Sequence, residues 1–282
     1  MGDILYINGR YTTTDEKVIG VEDRGFQFAD GIYEVIKFLD HRLLFREKHF
    51  ARLAAGLQEI EVPLPWDEAA FDEMCARLLE GTAFRDGILY IQVTRGEVER
   101  AHFYPENIEP TALAYTRRFT FPDPAKKERG IRVITGPDIR WRHCNVKSTN
   151  LLANALAKKS AQRAGADELI FVENGDVLEG ASSSFFIVRE GRLITHPTAQ
   201  RILPGTVREE VISIAFAERI RVDERPILER ELYGLDEAFI TSTTQGVMPV
   251  TWVDGRVVGN GRRGEITLRL QQQFDQIEAS VP

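Results

Sequence analysis

Val146-Lys147-Ser148-Thr149-Asn150-Leu151-Leu152 stands inside a run, Ile139 to Ala166, that contains no aspartate or glutamate. The same interval carries Arg140, Arg142, His143, Lys147, Lys158, Lys159 and Arg163. A lysine among apolar residues and other positive charges has its ammonium disfavoured by desolvation and by like-charge repulsion. That is how an amine becomes a nucleophile near neutral pH. A lone lysine is more often a solvated surface residue, so the weight of this reading rests on what surrounds the stretch.

Working outward, Ile131 to Ile134 reads as a strand and Ser148 to Ala164 as a helix closed by Gly165, which places Lys147 at a strand-to-helix turn. Glu168 to Val188 reads as a hairpin turning at Asn174-Gly175, and a second hairpin turns at Glu190-Gly191. Thr206 to Arg219 is a helix opened by Pro204-Gly205, Ala238 to Ser242 a strand entering a Thr-rich loop, and Arg263 to Ile277 a final helix. Upstream, Ile4 to Asn8 and Arg10 to Thr12 flank an Asn8-Gly9 turn, and Gly31 to Phe38 alternates as a half-buried strand. Lys48 to Ile60 and Phe71 to Leu79 carry apolar residues at helical spacing. Gly87 to Thr94 and Thr111 to Thr116 read as strands separated by a polar loop, Arg95 to Pro110. Phe121 to Gly130 combines two prolines with a charge run and reads as a linker. The expectation is an α+β protein of two domains: residues 1–120, a linker at 121–130, and residues 131–282.

The 282 residues carry a net charge of −7, with 43% hydrophobic and 28% charged residues. This is globular composition, and its acidic balance argues against general binding to nucleic acid or to an anionic membrane. Cys75 and Cys144 form no metal or disulfide pattern, which fits a reducing compartment. No apolar stretch approaches the roughly 20 residues of a membrane span. Met1 to Tyr6 lacks the basic flank and apolar run of a secretory leader, so a cytoplasmic protein is expected.

HExxH, GxxxxGK[ST] and GxSxG are all absent, and the five histidines show no metal-ligand spacing. Three polar stretches remain. Glu179-Gly180-Ala181-Ser182-Ser183-Ser184 offers a carboxylate beside small hydroxyls that suit the polar edge of a ligand ring. Leu203-Pro204-Gly205-Thr206-Val207-Arg208 opens a helix whose first N–H groups favour an anion. Thr241-Ser242-Thr243-Thr244-Gln245-Gly246 is a polar loop at a strand end that suits the same anion.

Asp23-Arg24-Gly25-Phe26, Phe28 to Glu34, His49 to Leu53, Lys147 to Asn150, Glu179 to Ser183 and Leu203 to Thr206, taken in order, resemble the fold-type IV enzymes that use pyridoxal 5′-phosphate (PLP). The resemblance runs from about Ile7 to the C-terminal helix. It implies a smaller N-terminal α+β domain and a larger C-terminal α/β pseudo-barrel that binds PLP. Thr94-Arg95-Gly96 followed by Arg100-Ala101-His102 resembles, more narrowly, the carboxylate-trap loop of D-amino-acid transaminases.

Carried over by motif, the resemblance makes Lys147 the Schiff-base and catalytic lysine, Glu179 the partner of the pyridine nitrogen, Arg52 a phosphate ligand and Leu203 the support under the ring. Thr206, Val207 and Thr243 fall on phosphate-binding positions, and Ser182 and Ser183 on cofactor-binding ones. The family often has a Thr second in its Ile-Thr or Val-Thr pair, where this chain has Thr206-Val207. Tyr33, Arg100 and His102, with Thr243 and Thr244, fall on the substrate side. Arg100 and His102 would come from the neighbouring subunit of a homodimer. Tyr33 also suits an ordinary amphipathic strand, Arg52 a solvated helix, and Arg100 and His102 a polar loop, while His49 stays outside the site as a packing or capping residue.

The implied reaction is ping-pong transamination of D-amino acids with 2-oxo acids, D-alanine plus 2-oxoglutarate giving pyruvate plus D-glutamate. Alternatives on the same fold are a branched-chain L-amino-acid transaminase, an (R)-selective amine transaminase and an aminodeoxychorismate lyase. A non-catalytic PLP-binding protein has no need of both Lys147 and Glu179.

Overall fold

A computed structural model describes residues 3–280; the outermost residues of the expected domains, 1–2 and 281–282, lie outside it. The chain divides into two compact units: residues through Thr120 together with Val146–Asn150, and Phe121–Asn145 together with the residues from Leu151 onward.

The first unit is built on a six-stranded sheet in the order β2-β1-β6-β5-β3-β4. The strands are β1 (Ile4–Ile7), β2 (Arg10–Thr13), β3 (Gly31–Leu39), β4 (Arg42–Leu43), β5 (Gly87–Thr94) and β6 (Thr111–Arg118), all antiparallel to their neighbours. The β1–β2 turn is Asn8-Gly9 with both φ values positive, 44° and 84°, the mirror-image turn that matches strand twist. A short helix, α1 (Arg24–Phe28), is capped by the Asp23 carboxylate, which accepts from Gly25 N–H. Helices α2 (Arg46–Glu59) and α3 (Glu68–Glu80) bury Leu53, Leu57, Phe71, Met74 and Leu78 in one core with Ile32, Ile36, Leu89, Ile91 and Val93 of the sheet. Val146 joins that core.

The second unit holds a ten-stranded mixed sheet that curls as a half-barrel. Its strands are β7 (Ile131–Pro137), β8 (Glu168–Glu173), β9 (Asp176–Gly180), β10 (Ser184–Arg189), β11 (Arg192–Thr195), β12 (Val222–Glu224), β13 (Ile227–Leu228), β14 (Glu237–Ser242), β15 (Gly246–Val253) and β16 (Arg256–Val257). Around them lie α4 (Pro124–Arg129), α5 (Leu152–Arg163), α6 (Thr206–Ala217) and α7 (Glu265–Ser280). The parallel pair β7–β8 is joined through α5, which packs on β8, as parallel strands need a crossover. Ile131, Val133, Ile170, Phe185, Ile187, Ile240, Met248 and Val250 fill the core of this sheet. Among the described residues no helix is long and apolar enough to cross a membrane, and no cluster of His, Cys, Asp or Glu could hold a metal ion.

Three differences from the sequence reading have local causes. The 121–130 stretch is not an open linker: Asp123 caps Lys126 N–H, Pro124 enters the first turn, and the middle folds as α4. The helix expected from Ser148 begins at Leu152, because residues 146–150 belong to the first unit, where Ser148 N–H bonds back to Val146 O and the segment is tied to Gly31 and Tyr33. Strand β15 went unread because Pro249 interrupts its pattern. The structure tolerates that proline one residue before the pairing with β7 starts at Val250–Ile131.

Candidate active site

Lys147 is held by its backbone to the start of β3. Tyr33 N–H donates to Lys147 O at 3.0 Å, Thr149 N–H donates to Gly31 O at 3.0 Å, and Ser148 is paired with Ile32. Val146 and Ser148 are buried and Lys147 is half-buried at a tight turn in which Ser148 N–H donates to Val146 O at 2.8 Å. There the Lys147 Nζ lies 4.3 Å from the centroid of the Tyr33 ring. Tyr33 in turn stacks on Tyr90, and Tyr90 leans on Tyr115, with centroids 5.8 and 5.2 Å apart. The lysine is therefore half-buried against an aromatic face, with its main chain fixed on both sides.

Behind Tyr33 the strand places Glu34 on its buried face with Ile32 and Ile36, 1% exposed. His49 and Arg52, three residues apart and so on one side of α2, close on it. Arg52 donates through Nε to Oε1 at 2.7 Å and through an Nη to Oε2 at 2.8 Å; His49 Nδ1 lies 2.7 Å from Oε2. Burial by itself would raise the Glu34 pKa, but the charges and hydrogen bonds of Arg52 and His49 outweigh it and hold the carboxyl well below its usual range. Burial pushes His49 down from its ordinary value, further than the neighbouring carboxylate lifts it. Because an ionised Glu34 only accepts, the ring proton belongs on Nδ1, and His49 Nε2 is a buried lone pair with no partner. The signal for this triad was a charged residue on the apolar face of β3 opposite a helix with a matching pair, and His49 is buried against Glu34 beside Arg52, as a packing residue would be.

Arg100 and His102 stand on the surface of the Arg95–Pro110 loop, both exposed, and gather on one ring. The Arg100 guanidinium lies 4.9 Å from the Phe28 centroid and the His102 ring 5.8 Å from it.

In the second unit, Glu179 sits near the end of β9, buried, and accepts from Leu203 N–H at 3.2 and 3.1 Å. Arg140, clamped by Asp138, donates to Glu179 Oε1 at 2.5 Å. Leu203 leads through Pro204 into α6, whose N-cap is Gly205 with no side-chain cap, so the first N–H groups of a twelve-residue helix have no capping oxygen. A Cβ on Gly205 would come within 2.8 Å of Ser184 Oγ. Ser184 pairs with Thr241 across β10 and β14, and Thr241 Oγ1 is buried without a partner. Thr206 and Val207 are buried in the first turn of α6, which packs on β14; Thr243 and Thr244 occupy the tight turn from β14 to β15.

Ser182 and Ser183 are engaged elsewhere. Their hydroxyls donate to Glu168 Oε2 at 3.2 and 3.0 Å, beside Lys158 Nζ at 2.8 Å. A buried carboxylate thus takes the protons that the sequence reading reserved for a ligand. Thr241, named in the sequence only as part of a polar loop, lies on β14, on which α6 packs, and Arg140, named only as one of several positive charges, is bonded to Glu179.

The sequence matches the amino-transferase class IV family over residues 31–253. The chain belongs to that family. This class IV aminotransferase is 39% identical over 268 residues to a D-alanine aminotransferase of Bacillus licheniformis, covering 95% of this chain and 94% of that protein. It is 38% identical over 272 residues to a D-alanine aminotransferase of Staphylococcus epidermidis, covering 96% of each. In fold, the class IV aminotransferase is similar to the branched-chain amino acid aminotransferase of Escherichia coli, with a TM-score of 0.91 at 24% identity, covering 98% of this chain and 94% of that one.

Proposed function

We propose that this class IV aminotransferase is a PLP-dependent D-amino-acid transaminase that takes the amino group of D-alanine and delivers it to 2-oxoglutarate. The observation that carries the reading is the 38–39% identity, over nearly its whole length, to D-alanine aminotransferases of two genera. The residues present suit a phosphate-bearing cofactor. The uncapped α6 N-terminus, the space that Gly205 leaves beside Ser184, and the orphaned Thr241 Oγ1 form an anion cradle. Thr206, Val207 and Thr243 are its backbone and hydroxyl donors, Leu203 supports the ring, and Arg52, oriented by Glu34, adds a charge for the phosphate.

PLP, when bound, supplies the electron sink for the substrate Cα carbanion. Lys147 Nζ would hold the cofactor, and its amine would serve as the base that moves the substrate Cα proton. Glu179, fixed by Arg140 and Leu203 N–H, presents a carboxylate that keeps the ring nitrogen protonated. Tyr33, Arg100, His102, Thr243 and Thr244 receive the substrate, with the Arg100 guanidinium suited to the α-carboxylate. We assign a homodimer in which Arg100 and His102 serve the neighbouring subunit, since both are exposed and His102 is followed by the exposed Phe103. A cytoplasmic location suits two buried free cysteines.

The test is a panel of D- and L-amino acids and an (R)-amine, with Arg100→Ala beside the wild type. Arg100→Ala is expected to lower kcat/KM for D-alanine and 2-oxoglutarate about 10- to 150-fold, the worth of a charge-assisted hydrogen bond of roughly 1.5–3 kcal/mol, and to spare an amine that lacks a carboxylate. Preference of the wild type for L-branched-chain substrates would overturn the assignment. Glu179→Gln, which keeps the shape and loses the charge, is expected to retain PLP and slow the single-turnover half-reaction about 10- to 150-fold. Stopped-flow absorbance reads that change, and wild-type turnover in the variant would remove Glu179 from its role.

A further inference from the structure

Arg24, on α1, is 3% exposed and has no part in the reaction described above. Its Nε donates to Asp30 Oδ2 at 2.8 Å, and Arg95 Nε donates to the same oxygen at 2.8 Å. The two guanidinium groups then reach in different directions. Arg95 donates to the carbonyls of Ile60 and Glu61 at 2.7 and 3.0 Å, beyond the end of α2. Arg24 donates to the carbonyls of Ala101 and His102 at 2.7 and 3.4 Å. Its backbone N–H also bonds Gly96 O at 2.9 Å, so one residue grips both the entrance and the middle of the Arg95–Pro110 loop.

Aromatic faces complete the grip. Arg24 lies 4.5 Å from the Phe28 centroid and 5.3 Å from that of Tyr104, and Arg95 lies 3.6 Å from Tyr104. Phe28 is the ring on which Arg100 and His102 also rest. A loop of this length without regular structure has no ladder to define its shape. A planar fork with several fixed donors defines it where a single ammonium would not. Two buried cations sharing one carboxylate are also costly to desolvate, and backbone carbonyls and ring faces offset that cost only in one arrangement.

We propose that Arg24 is a positioning residue for substrate carboxylate recognition: through Asp30, Phe28 and the carbonyls of Ala101 and His102 it sets where Arg100 and His102 are presented. This rests on the reading that those two residues bind the α-carboxylate. Arg24→Lys keeps the charge and removes the fork, and Phe28→Leu removes the ring while leaving the Arg24 hydrogen bonds in place.

The experiment measures amide hydrogen exchange across residues 96–106 and steady-state kinetics of the PLP-loaded enzyme for both variants and for Arg100→Ala. Arg24→Lys is expected to speed exchange in that loop. It should raise KM for D-alanine and for 2-oxoglutarate about tenfold with kcat little changed, and leave KM for an (R)-amine alone. Phe28→Leu should give the same pattern and keeps the test decisive if Arg24→Lys does not fold. Loop exchange and KM at wild-type values in these variants, where Arg100→Ala is impaired, would overturn the positioning role and leave the carboxylate reading standing. Parallel loss for the amine would overturn it too, as a structural effect. Unimpaired Arg100→Ala would instead overturn the carboxylate reading itself.

Discussion

Lys147→Ala is expected to abolish measurable transamination while leaving the protein folded. General acid–base catalysis by a positioned side chain contributes about 10²- to 10⁴-fold by itself, and this substitution also removes the covalent attachment of the cofactor. The fold should survive because the backbone of Lys147, not its side chain, makes the bonds to Tyr33 and β3, and because Val146 and Ser148 supply the buried contacts on that segment. Borohydride reduction of the loaded wild type followed by peptide mapping should place the pyridoxyl label on Lys147. Labelling at another lysine, or turnover in Lys147→Ala within tenfold of wild type, would end the assignment.

Glu34→Gln is expected to cost about 3 to 5 kcal/mol of folding stability, the range for removing one member of a buried ion pair. The amide cannot neutralise Arg52, whose side chain is 11% exposed and gives two hydrogen bonds to this one carboxylate. The pH dependence carries a definite sign. Glu34 has its folded pKa held below the unfolded value of about 4.5, so its contribution is complete above that pH and is lost as pH falls through the folded value. The gap between wild type and Glu34→Gln should therefore be widest near neutrality and narrow on acidification below 4.5. In the wild type itself His49 also weakens the fold on acidification, since burial lowers its pKa from 6.5 and protonation below that value opposes folding. Urea unfolding at a series of pH values measures both effects. A loss under about 1 kcal/mol, within the range of an exposed pair, would show that Arg52 does not depend on Glu34. The same variant should hold PLP less tightly, because Arg52 loses the partner that orients it.

The sequence by itself determined most of the secondary structure and the order of the motifs. Asn8-Gly9, Asn174-Gly175 and Glu190-Gly191 announced their hairpins because a tight turn needs positive φ at both positions, and the structure supplies it at all three. Period-two and period-3.6 patterns located β3, β5, α2, α3 and α6 within a few residues, since one buried face is enough to impose each period. The ordered set of motifs pointed to a PLP enzyme of fold-type IV, and the family match bears that out.

Partnerships among distant residues belonged to the tertiary structure. Lys147 does sit in a turn, with Ser148 N–H bonding back to Val146 O, but local sequence carries no record of Gly31–Tyr33, the strand that holds that turn in place. Ser182 and Ser183 looked free for a ligand because Glu168, which takes their hydroxyl protons, lies on another strand. Glu34 was one position of an alternating strand until α2 brought His49 and Arg52 onto it, and Arg24 was only a motif letter until its donors met Ala101 and His102. The physical reason is the same in each case. Propensity and periodicity act over a few bonds, whereas a buried charge is satisfied by whichever chain segment the fold brings within about 3 Å.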